Sequence, residues 1–386
     1  MLKIRGRIQH YAWGGHRYIP QLLGQAQSPE TPCAEYWLGT HSSAPSTVID
    51  AAGSEQETAL AEYLASNQLP ALKFLFKVLD VRDMLSIQVH PTKAQAEEGF
   101  TRENAADIPP TASHRNYKDN SDKPELAVAL SDFWLLHGIA NDEQIISRLN
   151  RAEYLQPLLH AYMKGDTEAA FRLALDTGNP DTQHIHQALA ADIVDKQYAK
   201  TDILFWVQQW LRNNPQTPNG ILTVLFMNLV HLAPGEAIFQ PSGLLHAYLE
   251  GQNIELMANS DNVLRAGLTP KHIDVAELMK IANFNSTPPA EFIINTESTA
   301  QGELRYPTPF PDFELSYWDA DQLAAPQWPV EQPEILLCLD GTATLTDTVS
   351  GSAIVCEKGE AVLLWPGHTV SLNGEHFQVF RARNIA

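Results

Sequence analysis

The sequence predicts a mainly β fold interrupted by an all-helical insertion. Three observations carry that prediction. Twenty-five Pro and 21 Gly punctuate 386 residues, and frequent turns favour short strands over long helical bundles. Short apolar runs bounded by turn residues recur from Met1 to about Ala140 and again from about Ile221. Between these stretches the apolar period lengthens to three and four residues, the helical spacing. A chain of this length fits two or three domains. The expected division is 1–140 with 221–290 as one β-rich domain, 141–220 as a helical insertion, and 291–386 as a second β domain.

Each element has a local reason. Leu75–Leu79 and Leu85–Val89 are apolar runs of strand length. Glu57–Ser66, rich in Ala, Leu and Glu, reads as a short helix. Over Glu143–Met163 the residues Ile145, Ile146, Leu149, Tyr154, Leu155, Leu158 and Leu159 follow helical spacing. Glu168–Leu175 and Ile203–Leu211 do the same, and Gly165, Gly178-Asn179-Pro180 and Asn213-Asn214-Pro215 are stop signals. In 291–386 the runs Ile335–Leu339, Ala361–Trp365 and Phe377–Phe380 alternate with turns at Asp340-Gly341, Lys358-Gly359, Pro366-Gly367 and Asn373-Gly374. That texture belongs to a sandwich or barrel.

Charge narrows the function. Twenty-six basic against 46 acidic residues leave a formal charge of −20. Nucleic-acid binding and adhesion to an anionic membrane both depend on clustered cations, so neither is expected. A small anionic ligand needs only a few local cations and stays open. The segment 291–386 holds 4 basic and 14 acidic residues, half of the excess, so net charge says little about a site elsewhere. Three Cys without a CxxC pattern (Cys33, Cys338, Cys356) exclude a disulfide scaffold and fit a reducing cytoplasm. The first 15 residues contain no apolar signal core, and the longest apolar stretch, near Ile221–Met227, is too short to span a bilayer.

The chemistry concentrates in a few segments. Gly235 to His246 has the spacing G-x5-P-x-G-x2-H. A Gly turn feeds a strand, a Pro-x-Gly turn reverses the chain, and the next strand opens with an imidazole at a barrel mouth. That spacing resembles the second motif of cupins, with Glu250 where the cupin pattern usually has Asn. In Ser86-Ile-Gln-Val-His-Pro91, Gln88 and His90 share one strand face by the period of two. Glu125 follows in Lys-Pro-Glu. Two His, one Glu and one Gln make an N/O ligand set suited to Zn²⁺ or another borderline divalent ion. The plain alternatives are a hydrogen-bonded core His246, strand-face polar residues at 88 and 90, and a surface carboxylate at 125. His184-Ile185-His186 lies in helical texture, where residues two apart do not face each other. Pro366-Gly367-His368 has no preceding His or Gln pair, so the last domain reads as metal-free.

Taken with Tyr11-Ala-Trp-Gly14, Ala34-Glu-Tyr-Trp-Leu-Gly-Thr-His41, Leu75-Phe-Lys-Val-Leu79, Asn116-Tyr-Lys-Asp119 and the long run from Ala258 to Lys271, these segments resemble type I phosphomannose isomerases, a zinc-dependent cupin family. The similarity spans about Met1–Ala282 and is weak in the helical stretch. The resemblance implies two cupin (double-stranded β-helix, or jelly-roll) domains around the helical insertion, and one Zn²⁺ on Gln88, His90, Glu125 and His246. It implies interconversion of mannose 6-phosphate and fructose 6-phosphate. Arg265 is then an essential cation, Glu255, Asp261 and Lys271 lie near the sugar, and Lys77, Ser86 and Lys123 line the pocket, with Lys77 and Ser86 on the phosphate. Asp122 stands where bacterial relatives often have His, so no proton-transfer role is carried to it.

Such an isomerase must move a proton between C2 and C1 through an enediolate. Glu255 and Asp261 are the carboxylate candidates for the base, beside a metal-bound water, and Lys123 and Arg265 supply positive charge. Lys118 and Lys271 could add donors for phosphate, the plain alternative for Lys118 being solvated surface. Trp13 and Tyr248 suit an apolar sugar face, or core packing. The rival functions are a cupin iron oxygenase and a non-catalytic sugar-phosphate binder.

Overall fold

The computed structural model describes residues 1–25, 30–49, 58–214, 220–320 and 326–385. Glu57, the expected start of a helix, and Pro215, part of an expected stop, lie outside the described residues. The described chain is mainly β, with antiparallel sheets of ten and twelve strands and a group of helices between residues 142 and 213.

One long strand organises the ten-stranded sheet. His246–Ala258 pairs with Ile87–Val89, Phe133–Ile139, Glu125–Ala129 and Phe74–Val81. A single flat strand could not reach four partners. Gly251, at φ +119°, lets it bend, and a Cβ there would lie 2.5 Å from the Asp132 carbonyl oxygen. The register then brings distant segments side by side: His246 faces Gln88, Glu255 faces Lys77, and Gln88 also faces Arg265. The expected Pro-x-Gly reversal holds, with Ala237–Gln240 before it and His246–Ala258 after it.

The helices cover one face of this sheet. Asn141, Asp166, Asn179 and Asp202 each cap a helix N-terminus by accepting a backbone N–H. The helical spacing over 143–163 resolves into two helices, Asp142–Leu149 and Gln156–Lys164, joined by a 3-10 turn at Glu153–Leu155. Pro157 explains the break, since proline is tolerated in the first helical turn but not in an interior. Ile145, Leu158, Phe171, Ile185 and Trp206 from the helices share one apolar core with Leu136, Leu245, Leu249 and Leu264 from the sheet. At about 1.5–3 kcal/mol for each fully buried side chain, that core holds the helices to the sheet.

The second sheet backs the first. Phe74, Phe76 and Val78 pack against Leu315, Ile335, Leu337 and Phe380. The N-terminal strand Leu2–Arg5 pairs with Ala361–Leu364, so the twelve-stranded sheet combines both ends of the chain. The turn expected at Asp340-Gly341 is absent. Glu334–Asp347 runs through it as one strand, with a bulge between Cys338 and Asp340 and Gly341 at φ +72° just beyond it. The other expected strands appear as Ala361–Leu364 and Phe377–Asn384.

Candidate metal centre and active site

His90, Glu125 and His246 converge although they are up to 156 residues apart in sequence. Their ligand atoms lie within 4.8 Å of one another, and all three side chains are buried. His90 Nε2 is 3.2 Å from Glu125 Oε1, and His246 Nε2 is 3.2 Å from Oε2. The other ring nitrogens face acceptors: His90 Nδ1 lies 2.7 Å from the Asn262 carbonyl oxygen, and His246 Nδ1 lies 3.0 Å from that of Leu244. A carbonyl only accepts, so each Nδ1 carries the proton and each Nε2 presents a lone pair. His90 Nε2 accordingly has no hydrogen-bond partner despite the nearby carboxylate. Lone pairs gathered around a buried carboxylate fit a divalent cation, and the carbonyl contacts are the supports that orient metal-binding imidazoles. Gln88 lines the same cavity directly across the sheet from His246.

Electrostatics prepare these groups. Burial, then Lys123, pushes the His90 imidazole down to about 4, so it is neutral near pH 7. Burial alone would raise the Glu125 carboxyl. Lys123, whose Nζ is 3.1 Å from Oε1, and His90 hold it well below the usual range instead.

Beside the metal centre lies an inner cavity of about 160 Å³. Lys77 projects into it because Phe76 and Val78, its neighbours along the strand, take the opposite face into the inter-sheet core. Lys77 Nζ donates to Glu255 Oε2 at 2.8 Å and lies 3.6 Å from Glu35 Oε2. Burial works against its charge, but the two carboxylates outweigh burial and raise its pKa. Tyr248 donates its hydroxyl to Glu255 Oε1 at 2.9 Å. Burial raises the Glu255 carboxyl, partly opposed by Lys77.

Next to it is a wider outer cavity of about 640 Å³. Arg265, Lys118, Lys271 and Ser86 line it, and none of the three cations has an ion-pair partner among the described residues. Arg265 is half-buried, which lowers its pKa. Burial, then repulsion from Arg265 and Lys118, lowers that of Lys271. Such like charges tolerate one another best with an anion between them.

Several placements depart from expectation. Lys77 is engaged with Glu255 and Glu35 in the inner cavity, whereas the exposed Lys118 lines the outer one. Tyr248 lines the inner cavity, packs edge-on against Phe133 at 5.1 Å and donates its hydroxyl to Glu255. Trp13 stacks on Tyr11 at 5.8 Å and lines the outer cavity. Asp261 lies 3.5 Å from His41, which first among its neighbours lowers its pKa and weakens it as a base. Within the run from Ala258 to Lys271, Asn262 is structural. Its side chain accepts from the backbone N–H groups of Lys118 and Asp119 and donates to the carbonyls of Asp119 and Ser121.

Glu35, Trp37 and His41 line the inner cavity without having been singled out. A signal was present for Glu35. It alternates with the apolar Tyr36 and Leu38 of its strand, the pattern that distinguished Lys77. Nothing in the sequence indicated that His41 would meet Asp261, because a loop contact 220 residues away has no local signature.

The fold and the site define a β-rich protein with a buried His–Glu–His metal centre, flanked by a polar cavity with unpaired cations. The model of the phosphomannose isomerase type I catalytic domain matches residues 1–140. Mannose-6-phosphate isomerase of Escherichia coli K12 is 37% identical over 89% of this chain and 90% of its own length. A crystal structure of zinc-bound mannose 6-phosphate isomerase superposes with a TM-score of 0.87 at 32% identity, covering 100% of this chain and 99% of that one. The Salmonella typhimurium enzyme with fructose 6-phosphate and zinc bound gives 0.86 at 32% identity, covering all of both chains. The chain belongs to the mannose-6-phosphate isomerase family.

Proposed function

We propose that the protein interconverts mannose 6-phosphate and fructose 6-phosphate with zinc held by His90, Glu125, His246 and Gln88. The observation that carries this reading is the pair of Nε2 lone pairs converging on Glu125 beside a cavity with three unpaired cations. Zinc bound there supplies a Lewis acid for the sugar's C1 and C2 oxygens.

The chain's own residues divide the remaining work. Lys118 and Lys271, with Ser86, bind the phosphate in the outer cavity and fix the sugar's direction. Arg265 sits among them, half-buried and unpaired, and neutralises charge developing on the enediolate. Of the two carboxylate candidates, Glu255 suits the base better, because burial raises its pKa whereas the neighbours of Asp261 lower that group. Tyr248 and Lys77 each occupy one Glu255 oxygen, fixing its orientation while a further lone pair on each oxygen stays available to take the C2 proton and return it at C1. Lys123 holds Glu125 with one N–H and keeps two for a substrate oxygen. The two β units are read as cupin domains, supported by their antiparallel pairing. Three free, buried cysteines support the cytoplasmic placement.

A coupled assay for fructose 6-phosphate before and after chelation tests the reading. Turnover should vanish with the metal and return with Zn²⁺. Turnover by fully metal-free protein would refute it. Binding of mannose 6-phosphate without product would establish the non-catalytic rival.

A further inference from the structure

The helices do more than cover the sheet. The last of them, Ile203–Asn213, ends at the outer cavity, where Trp210, Asn213 and Asn214 form part of the wall. That location is electrostatically awkward for a site receiving a phosphate dianion. A helix C-terminus carries partial negative charge on its final carbonyls. Asp83, in the turn just before Ser86 and Gln88, adds a full negative charge to the same wall. Either would repel the ligand that Lys118, Arg265 and Lys271 attract.

Two consecutive asparagines cover both features. Asn214 donates its backbone N–H and its side-chain amide to the Trp210 carbonyl, at 2.8 and 3.2 Å. Asn213 donates its amide to Asp83 Oδ1 at 3.3 Å, while Arg82 takes Oδ2 at 2.8 and 3.1 Å. The other carboxylates lining this cavity, Glu35 and Asp261, have their own partners in Trp37 with Lys77 and in His41. Asp83 differs from them in taking one partner from the helical stretch. The same turn is fixed on its other side, where the Trp13 carbonyl accepts the backbone N–H groups of Arg82 and Asp83 at 3.2 and 3.0 Å.

We propose that Asn213 and Asn214 are specificity-determining residues that screen the negative groups at the rim of the sugar-phosphate cavity, Asn213 by positioning Asp83 away from the incoming phosphate. The helical stretch is thereby part of the substrate site. This rests on the function proposed above. It also explains how a helix can end beside a phosphate subsite without weakening it.

The test is an electrostatic double-mutant cycle on the zinc-loaded full chain. Asn213→Asp keeps the side chain's shape, removes the donor and places a second carboxylate against Asp83. The KM for mannose 6-phosphate and the inhibition constant of inorganic phosphate should rise together, by about three- to tenfold at low salt and less at high salt. Turnover at saturation and zinc content should stay at the wild-type level. Asp83→Asn alone should change KM less than about twofold, yet restore most of the loss in the Asn213→Asp background. Asn213→Ala, which adds no charge, should move both constants in the same direction by less. Unchanged KM and phosphate inhibition in Asn213→Asp would overturn the proposal, as would a fall in turnover at unchanged KM. Calorimetric binding of inorganic phosphate reads the rim independently of catalysis. A wild-type protein that binds phosphate but makes no fructose 6-phosphate would refute the function while leaving the screen testable.

Discussion

Replacing Lys77 with Met probes the buried charge cluster most directly. Lys77, Glu255, Glu35, Glu125 and Lys123 are all at most 8% exposed, and together they carry two positive and three negative charges. Lys77→Met keeps the aliphatic bulk but removes the ammonium, which also lies 5.0 Å from the Trp37 ring centroid. It leaves Glu255 without its 2.8 Å partner and with Glu125 and Glu35 nearby. Breaking a buried pair by removing one partner costs about 3–5 kcal/mol. Glu255 can limit the damage by taking a proton, which places the expected loss near the lower end. Unfolding entropy of about 2.1 cal/mol/K per residue gives ~0.8 kcal/mol per degree for a chain of this length. The melting temperature should therefore fall by about 4–5 °C. Glu255→Gln added to Lys77→Met should recover most of that loss, because it removes the stranded charge. Scanning calorimetry on zinc-loaded protein, with metal content measured on each sample, reads both numbers. A Lys77→Met protein melting within a degree of wild type, or a double variant less stable than the single one, would refute the claim that the pair is a buried, mutually dependent unit.

Other substitutions test separate parts of the site. Arg265→Ala should retain zinc and lose about 10²–10³ in kcat, as expected for one lost oxyanion stabiliser; unchanged turnover would remove its role. Asn262→Ala strips the backbone groups of residues 118, 119 and 121 of their partner and loosens the carbonyl that orients His90, so zinc affinity should drop roughly 10–100-fold in a competition titration. His137 predicts acid sensitivity: burial pushes its imidazole down from 6.5 to about 3. The unfolded chain then takes up the proton first, so the contribution to stability is complete above pH 6.5 and is lost as pH falls towards 3. At about 1.4 kcal/mol per tenfold change in proton affinity the loss reaches several kcal/mol. Denaturant melts of His137→Gln across that range should show a shallower decline.

The parts of the fold legible in sequence are those with local causes. Helical periodicity marked the stretch from 142 to 213, although the break that Pro157 makes within it was not read from spacing alone. The Pro-x-Gly reversal before His246 appears as expected because a tight turn needs particular residues at particular positions. Asp340-Gly341 misled for the same reason. A Gly at positive φ can also sit inside a strand, here where pairing changes over from Phe377–Asn384 to Ala353–Glu357. In the site, single residues were legible where their neighbours were informative, as with Lys77 between Phe76 and Val78. Their partners were not: no local pattern joins Lys77 to Glu255, or His41 to Asp261.

The sequence by itself determined the mainly β character, the helical interruption, the ligand types for a borderline divalent metal and the family. Each is written in composition, spacing or a contiguous motif. Tertiary structure alone decided which charge meets which. The bent strand from His246 to Ala258 sets the register that puts Glu255 against Lys77 and Gln88 between His246 and Arg265. That register pairs Lys77 with Glu255, while Lys118, Arg265 and Lys271 line the outer cavity without ion-pair partners among the described residues. Pairings of this kind depend on distances of a few ångströms between residues far apart in the chain, and Coulomb energies at such distances in a buried site exceed any local preference.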